Sequence, residues 1–279
     1  MDIRICYLVV IFAISINVNL SAQENKKYTP LELSELVYGS SGFDYNKVLP
    51  FCCDMHSLNF KDSTFGQLLP ADTKRSFSLI YQDDTSAVTS ISLKIADESM
   101  DIYFYFTKLE DWHIETLRTL ARTDMIKKTL MEIEKLPFDS AMKVISVHGY
   151  TDLDKYIKRN KLLLSSDDEI ADYFRSNYEK FNEIAEYIIK NDFINHEKGL
   201  DFANSDSFVK QKLDSLLIDR IVPAEEGNVF EAGFLIGGIL DNTAGYFYQP
   251  DTLKVPPINK LLYIIIKPLG NGWYMYKTT

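Results

Sequence analysis

The chain has 279 residues, of which 46% are hydrophobic and 13% aromatic, and its formal charge is −10. An acidic chain without a dense Lys/Arg run lacks the basic stripe that phosphate backbones and anionic lipid need, which excludes nucleic acid and adhesive membrane contact as partners. The apolar content suffices for one large domain or two modest ones.

The first residues set the expected compartment. Met1-Asp2-Ile3-Arg4 is a short start with one cation, followed by an apolar run from Ile5 to Ile16 and by Asn17 to Gln23. That is the layout of a secretory signal, so residues 1–22 are expected to be removed and the mature protein to be periplasmic or extracellular. No later segment is long and apolar enough to span a membrane. Only Cys52 and Cys53 then remain. Adjacent cysteines rarely bond to each other, so stability must come from burial rather than from disulfides.

Thr29-Pro30-Leu31-Glu32 is a capping box that starts a helix, which runs to Val37 before "YGSSG". Residues 44–58 suggest a second short helix around Pro50. The pattern then changes to period two: Ile91, Leu93 and Ile95, then Ile102, Phe104 and Phe106, alternate with mostly polar neighbours. Strands are expected near 75–82, 87–96, 100–107 and 111–118. "TDMIKKTLMEIEKL" is an amphipathic helix that stops before Pro137.

Residues 137–165 read as an irregular linker, with "VISVHGY" strand-like. Ser166-Asp167-Asp168-Glu169 is a second capping box, opening a long helix with Ile170, Phe174, Phe181, Ile184 and Ile188 on one side. A shorter helix begins near Ser205. Strands follow at 229–238, 240–249, 261–268 and 272–278, the last two joined by Asn271-Gly272, a strong hairpin signal.

"DIYFYFTKLEDWHIETL" and "LLYIIIKPLGNGWYMYK" rhyme as strand, turn, Trp and strand. The expected fold is therefore α+β: two similar units, 28–136 and 166–279, each with helices packed on a curved antiparallel meander. Helices followed by an antiparallel sheet with a Trp-bearing hairpin resemble the nuclear-transport-factor-like superfamily of cone-shaped domains, common among exported bacterial proteins. That resemblance implies an apolar pocket at the open end of a cone, used as an enzyme site or a plain binding site; it assigns no residue here.

"FCCDMHSLNF" places Cys52, Cys53, Asp54 and His56 together. A closed zinc site wants four ligands and no other Cys is available, so the cluster reads as packing, and neither metal nor cofactor is expected. Ser140-Ala141-Met142-Lys143 matches the opening of a penicillin-binding motif, but Ser205-Asp206-Ser207 and Lys277-Thr278-Thr279 depart from its later parts. Asp83-Asp84 and Asp167-Asp168 read as a solvated turn and a solvated helix start. What remains is aromatic: Tyr103, Tyr105, Trp112, Tyr246, Tyr248 and Trp273 are the candidate binding residues, since tyrosine pairs an apolar body with a polar tip.

The preferred expectation is a non-catalytic envelope protein that binds a small molecule or peptide in a sheet-lined concavity. The alternatives are a hydrolase or lyase using His113 or Asp101 as acid–base group, and a subunit that assembles through sheet edges.

Overall fold

The computed structural model describes residues 26–40, 48–53, 64–96, 98–193, 199–222 and 232–279. The expected signal segment and the stretch holding Asp54 and His56 lie outside them. The chain is α+β, with helices packed on two antiparallel sheets.

In the first part, helix α1 (Pro30–Tyr38) carries the expected Thr29/Glu32 capping box. A single 3₁₀ turn (Leu49–Phe51) and the short helix α2 (Phe65–Leu68) lead to a four-stranded meander: β1 (Lys74–Gln82), β2 (Ser86–Ile95), β3 (Glu98–Lys108) and β4 (Trp112–Arg118). These strands match the expected ones to within two or three residues at each end. α1 lies on one face of this sheet, where Leu33 and Val37 meet Ile91, Ile102, Phe104, Phe106 and Ile114.

The segment expected to be irregular is helical. α3 (Thr123–Ile133) is followed by α4 (Phe138–Ser146) and α5 (Leu153–Leu163), so "VISVHGY" is the end of a helix and its turn, not a strand. The helical spacing is present, with Phe138, Ala141, Met142 and Ile145 at i, i+3, i+4 and i+7 in α4 and Leu153, Tyr156 and Ile157 at i, i+3 and i+4 in α5, but the β-branched run Val144, Ile145 and Val147 at the end of α4 gives that stretch its strand-like look. Gly149, at φ +83°, separates them in the left-handed region open to glycine.

The long helix expected after Ser166 is two: α6 (Asp167–Ser176) and α7 (Tyr178–Lys190). Asn177 adopts φ −121°, ψ 13° between them and donates its side-chain amide to the Tyr173 carbonyl at 2.9 Å. Asparagine competes for backbone hydrogen bonds in this way, and here that ends the helix. α8 (Gly199–Ser205) and α9 (Ser207–Ser215) precede the second sheet.

That sheet contains β5 (Arg220–Val222), β6 (Ala232–Ile239), β7 (Asn242–Tyr248), β8 (Tyr263–Gly270) and β9 (Trp273–Thr278) in the order β5-β6-β7-β9-β8. It is not the expected simple meander, because β9 inserts between β7 and β8. Pro268, lacking an N–H, suits an edge strand, and β9, buried along both faces, suits an interior place. The β8–β9 turn is the expected one, with Asn271 and Gly272 both at positive φ.

The largest apolar core draws on both sheets. Val88, Tyr103 and Tyr105 from the first pack into one cluster with Phe174 and Phe181 of the helices and Phe234, Tyr246 and Trp273 of the second. β3 is thus buried on both faces, by α1 on one side and by the second half of the chain on the other.

Candidate functional site

Five of the six aromatic residues singled out by sequence are buried: Tyr103, Tyr105, Trp112, Tyr246 and Trp273. Tyr248 is half-buried, its ring 5.3 Å from that of Trp273. Their polar tips turn inward. Tyr105 donates to the Ile264 carbonyl at 2.5 Å, Tyr246 to the Ile170 carbonyl at 2.8 Å, and the Trp273 indole to Asn182 Oδ1 at 2.7 Å. Tyr103, Tyr105, Tyr246 and Trp273 share the core that joins the two halves, whereas Trp112 packs in the α1-side core.

The Tyr103 hydroxyl leads elsewhere. It donates to Asp167 Oδ1 at 2.9 Å, inside a buried group of charges. Lys277 Nζ lies 2.8 Å from Asp167 Oδ1 and 3.3 Å from Asp101 Oδ2. The backbone N–H of Asp167 donates to Asp101 Oδ2 at 2.7 Å, and Ser92 Oγ donates to Asp101 Oδ1. Asp101, Asp167 and Lys277 are 6%, 2% and 3% exposed, so all three have left water. The other oxygen of Asp167 is buried with no hydrogen-bond partner among the described residues.

Each member is delivered by a local rule. Asp101 sits in the row Asp101, Tyr103, Tyr105, the face of β3 opposite α1. Asp167 is the first residue of α6, where free N–H groups and the helix dipole favour an anion. Lys277 follows Trp273 and Met275 along the inward face of β9. The solvated role expected for the Asp167-Asp168 pair therefore holds only for Asp168, which is exposed and pairs with Lys267 at 2.6 Å. Asp167 is turned inward because the start of its helix meets β3, where its N–H donates to Asp101 and its carboxylate accepts from Tyr103.

Burial pushes the Asp167 carboxyl above the usual range, Lys277 pulls it back, and the nearby Asp101 charge adds to the rise. Burial lowers Lys277, but the Asp167 and Asp101 carboxylates more than offset this, and its ammonium is held upward. Tyr103 is pushed well up, by burial first and then by the two carboxylates.

A small cavity of about 70 Å³ reaches this group, with Asp101 and Lys277 among its walls and the hydroxyls of Ser99, Thr119 and Thr123 around them. It adjoins a wider hollow of about 510 Å³, sharing Ser99, Lys127, Leu164 and Ser165 with it. Together they form a groove between the β2–β3 hairpin, α3 and the α5–α6 turn. Leu130, Met131 and Leu164 supply its apolar surface. Lys127–Glu98 at 2.9 Å and Lys161–Glu134 at 2.7 Å are exposed ion pairs on its walls. Such pairs are weak and easily exchanged.

His113 does not join Asp101. It pairs with Thr107 at the far end of β3, six positions from Asp101 and roughly 20 Å away at 3.3 Å per residue. Its Nδ1 lies 2.9 Å from the Asp111 carbonyl.

The cysteines divide. Cys52 is half-buried against the α1-side core, whereas Cys53 is exposed, which the packing expectation did not foresee. Cys53 faces out because its backbone is tied to the edge of β4, its N–H donating to the Ile114 carbonyl at 3.0 Å. Burial, with Cys53 alongside, pushes the Cys52 thiol up to about 11, opposite to what a nucleophile requires. Among the described residues no three His, Cys, Asp or Glu side chains are grouped to hold a metal, and no helix is long and apolar enough to cross a membrane. A second, partly buried ion pair, Arg159–Asp219 at 2.7 Å with Tyr150 against the guanidinium, ties α5 to the start of β5.

No family model, curated protein or solved structure matches the chain. The groove's use is therefore read from its own chemistry.

The sequence did carry a signal for this site. Asp101 and Lys277 each stand in the inward row of an otherwise apolar or aromatic strand, where a charge is costly unless it has a partner.

Proposed function

We propose that the protein is an exported, non-catalytic binding protein that takes a small molecule or short peptide in the groove between the β2–β3 hairpin and α3. The observation that carries this reading is the pair of adjoining hollows, with buried Asp101 and Lys277 at the inner end and leucine and methionine side chains toward the mouth. A shaped apolar hollow with a few fixed polar points is what a binding site needs.

Export rests on the sequence of residues 1–23. Mass spectrometry of the secreted chain is expected to give an N-terminus near Gln23, and a retained Met1 would contradict it.

Sheet edges support assembly less well. Asn204 closes β5 by exchanging two hydrogen bonds with Ile221, Pro268 interrupts β8, and β1 carries a bulge between Leu79 and Tyr81. Edges treated in this way resist strand addition.

One observation favours a second reading: Asp101, the acid–base candidate, does line a cavity. Its carboxylate is already engaged by Ser92, Asp167 and Lys277, which leaves it poorly placed to move a proton. Turnover of a bound ligand, lost in Asp101→Asn while binding persists, would shift the assignment to an enzyme.

Ser99 borders both hollows and is half-buried on a hairpin, so Ser99→Trp fills the groove with little effect on the fold. Ligands found by thermal-shift screening of small molecules and short peptides are expected to lose binding in Ser99→Trp. Ligands bound equally by both proteins would place the site elsewhere.

A further inference from the structure

The charges around the groove do not balance. At its inner end two buried carboxylates, Asp101 and Asp167, face one ammonium, Lys277. The small cavity adds Asp124 and Lys127, and the wider hollow adds Glu98, Glu134 and Glu169 against Lys161. Six carboxylates thus meet three ammonium groups. Four of the six, Glu98, Asp124, Glu134 and Glu169, are exposed around the mouth and draw the opposite charge toward it, whereas the cost of uncompensated charge falls on the buried Asp101 and Asp167.

Polar capacity and size point the same way. The small cavity offers the Ser99, Thr119 and Thr123 hydroxyls beside Asp101, and at about 70 Å³ it admits a head group rather than a whole molecule. The wider hollow, with Leu130, Met131 and Leu164, has room for an aliphatic body. Resting on the groove reading above, we infer that the ligand carries a primary ammonium group on an aliphatic body, as in an amino-acid amide or a peptide N-terminus. The ammonium enters the small cavity and is held by Asp101 and the surrounding hydroxyls, while the body lies in the wider hollow.

Asp101 is the residue to test. Asp101→Asn leaves Asp167 and Lys277 as a balanced pair and keeps an acceptor for the Asp167 N–H, so the variant is expected to fold. Calorimetric titration would use leucinamide, its neutral analogue 4-methylpentanamide and the anion 4-methylpentanoate. Leucinamide is expected to bind the wild-type protein at least tenfold more tightly than either analogue, and at least tenfold more weakly to Asp101→Asn. Equal binding of leucinamide and 4-methylpentanamide, both lost in Ser99→Trp, would overturn the ammonium assignment while leaving the groove in place. Preference for 4-methylpentanoate would overturn it in favour of an anion held by lysines. No binding of any of the three at millimolar concentration, or leucinamide binding unaffected by Ser99→Trp, would overturn the groove together with the inference. If Asp101→Asn fails to fold, the wild-type ratio of leucinamide to 4-methylpentanamide decides alone.

Discussion

The two faces of the first sheet are built to different specifications. The face under α1 is largely apolar, with one buried hydroxyl pair, Ser34 and Thr89, 2.6 Å apart, and with Arg75 half-buried at its rim, where it donates to the nearby Thr73 and Gly66 carbonyls. The face toward the second sheet carries Ser90, Ser92, Asp101, Tyr103 and Tyr105 among its buried or half-buried residues. Both exclude water, but only one contains charges that must find partners from distant parts of the chain. An apolar face tolerates small shifts in docking, whereas a charged one fits in a single arrangement. Both faces bury apolar surface, and the charges on the face opposite α1 also bear on how the halves meet and shape the inner end of the groove.

Four substitutions break or sharpen this contrast. The largest effect is expected from Lys277→Met, which strands two buried carboxylates and costs about 4 kcal/mol in urea denaturation near neutral pH. The loss should shrink on acidification. Without Lys277, the Asp167 pKa in the folded state rises further above its unfolded value, because burial and the Asp101 charge are then opposed only by the Tyr103 hydrogen bond. A carboxyl shifted this way contributes fully below its unfolded pKa and loses that contribution as pH rises through the folded one. On the other face, Ile91→Ala should cost about 3 kcal/mol through the cavity it leaves, with the deficit flat across the same pH range. A pH-dependent deficit there would erase the distinction between the faces.

Ser34→Ala removes one partner of the hydroxyl pair and leaves Thr89 buried, for a loss of about 1 kcal/mol by the same denaturation. Glu98→Gln should change stability by less than about 0.5 kcal/mol, because its bridge to Lys127 is largely exposed, yet it should weaken leucinamide binding by thinning the negative charge at the mouth.

Much of the fold was legible in the sequence, for identifiable reasons. The alternation through Ile91 and Leu93 and through Ile102, Phe104 and Phe106 survives as the α1 face, because a meander of adjacent strands needs only local rules. The capping boxes at Thr29 and Ser166 survive for the same reason. What escaped was set by tertiary packing. β9 takes an interior place because a proline excludes β8 from it. α4 and α5 are a different case, since their stripes, Phe138, Ala141, Met142 and Ile145 and then Leu153, Tyr156 and Ile157, stand in the sequence behind the β-branched end of α4. Tyr103, Tyr105 and Tyr246 looked like ligand contacts because sequence marks a tyrosine's amphipathic character but not which buried acceptor its hydroxyl reaches. Asp101 and Lys277 are 176 positions apart, and only the meeting of β3 with β9 makes them neighbours.

The most direct measurement is leucinamide titration of the triple variant Asp101→Asn, Asp167→Asn, Lys277→Gln, which removes all three buried charges while keeping polar side chains of similar shape. A protein that melts close to the wild type but binds leucinamide at least tenfold more weakly is the expected result. Undiminished binding by the folded triple variant would contradict the assignment of ligand recognition to this buried group.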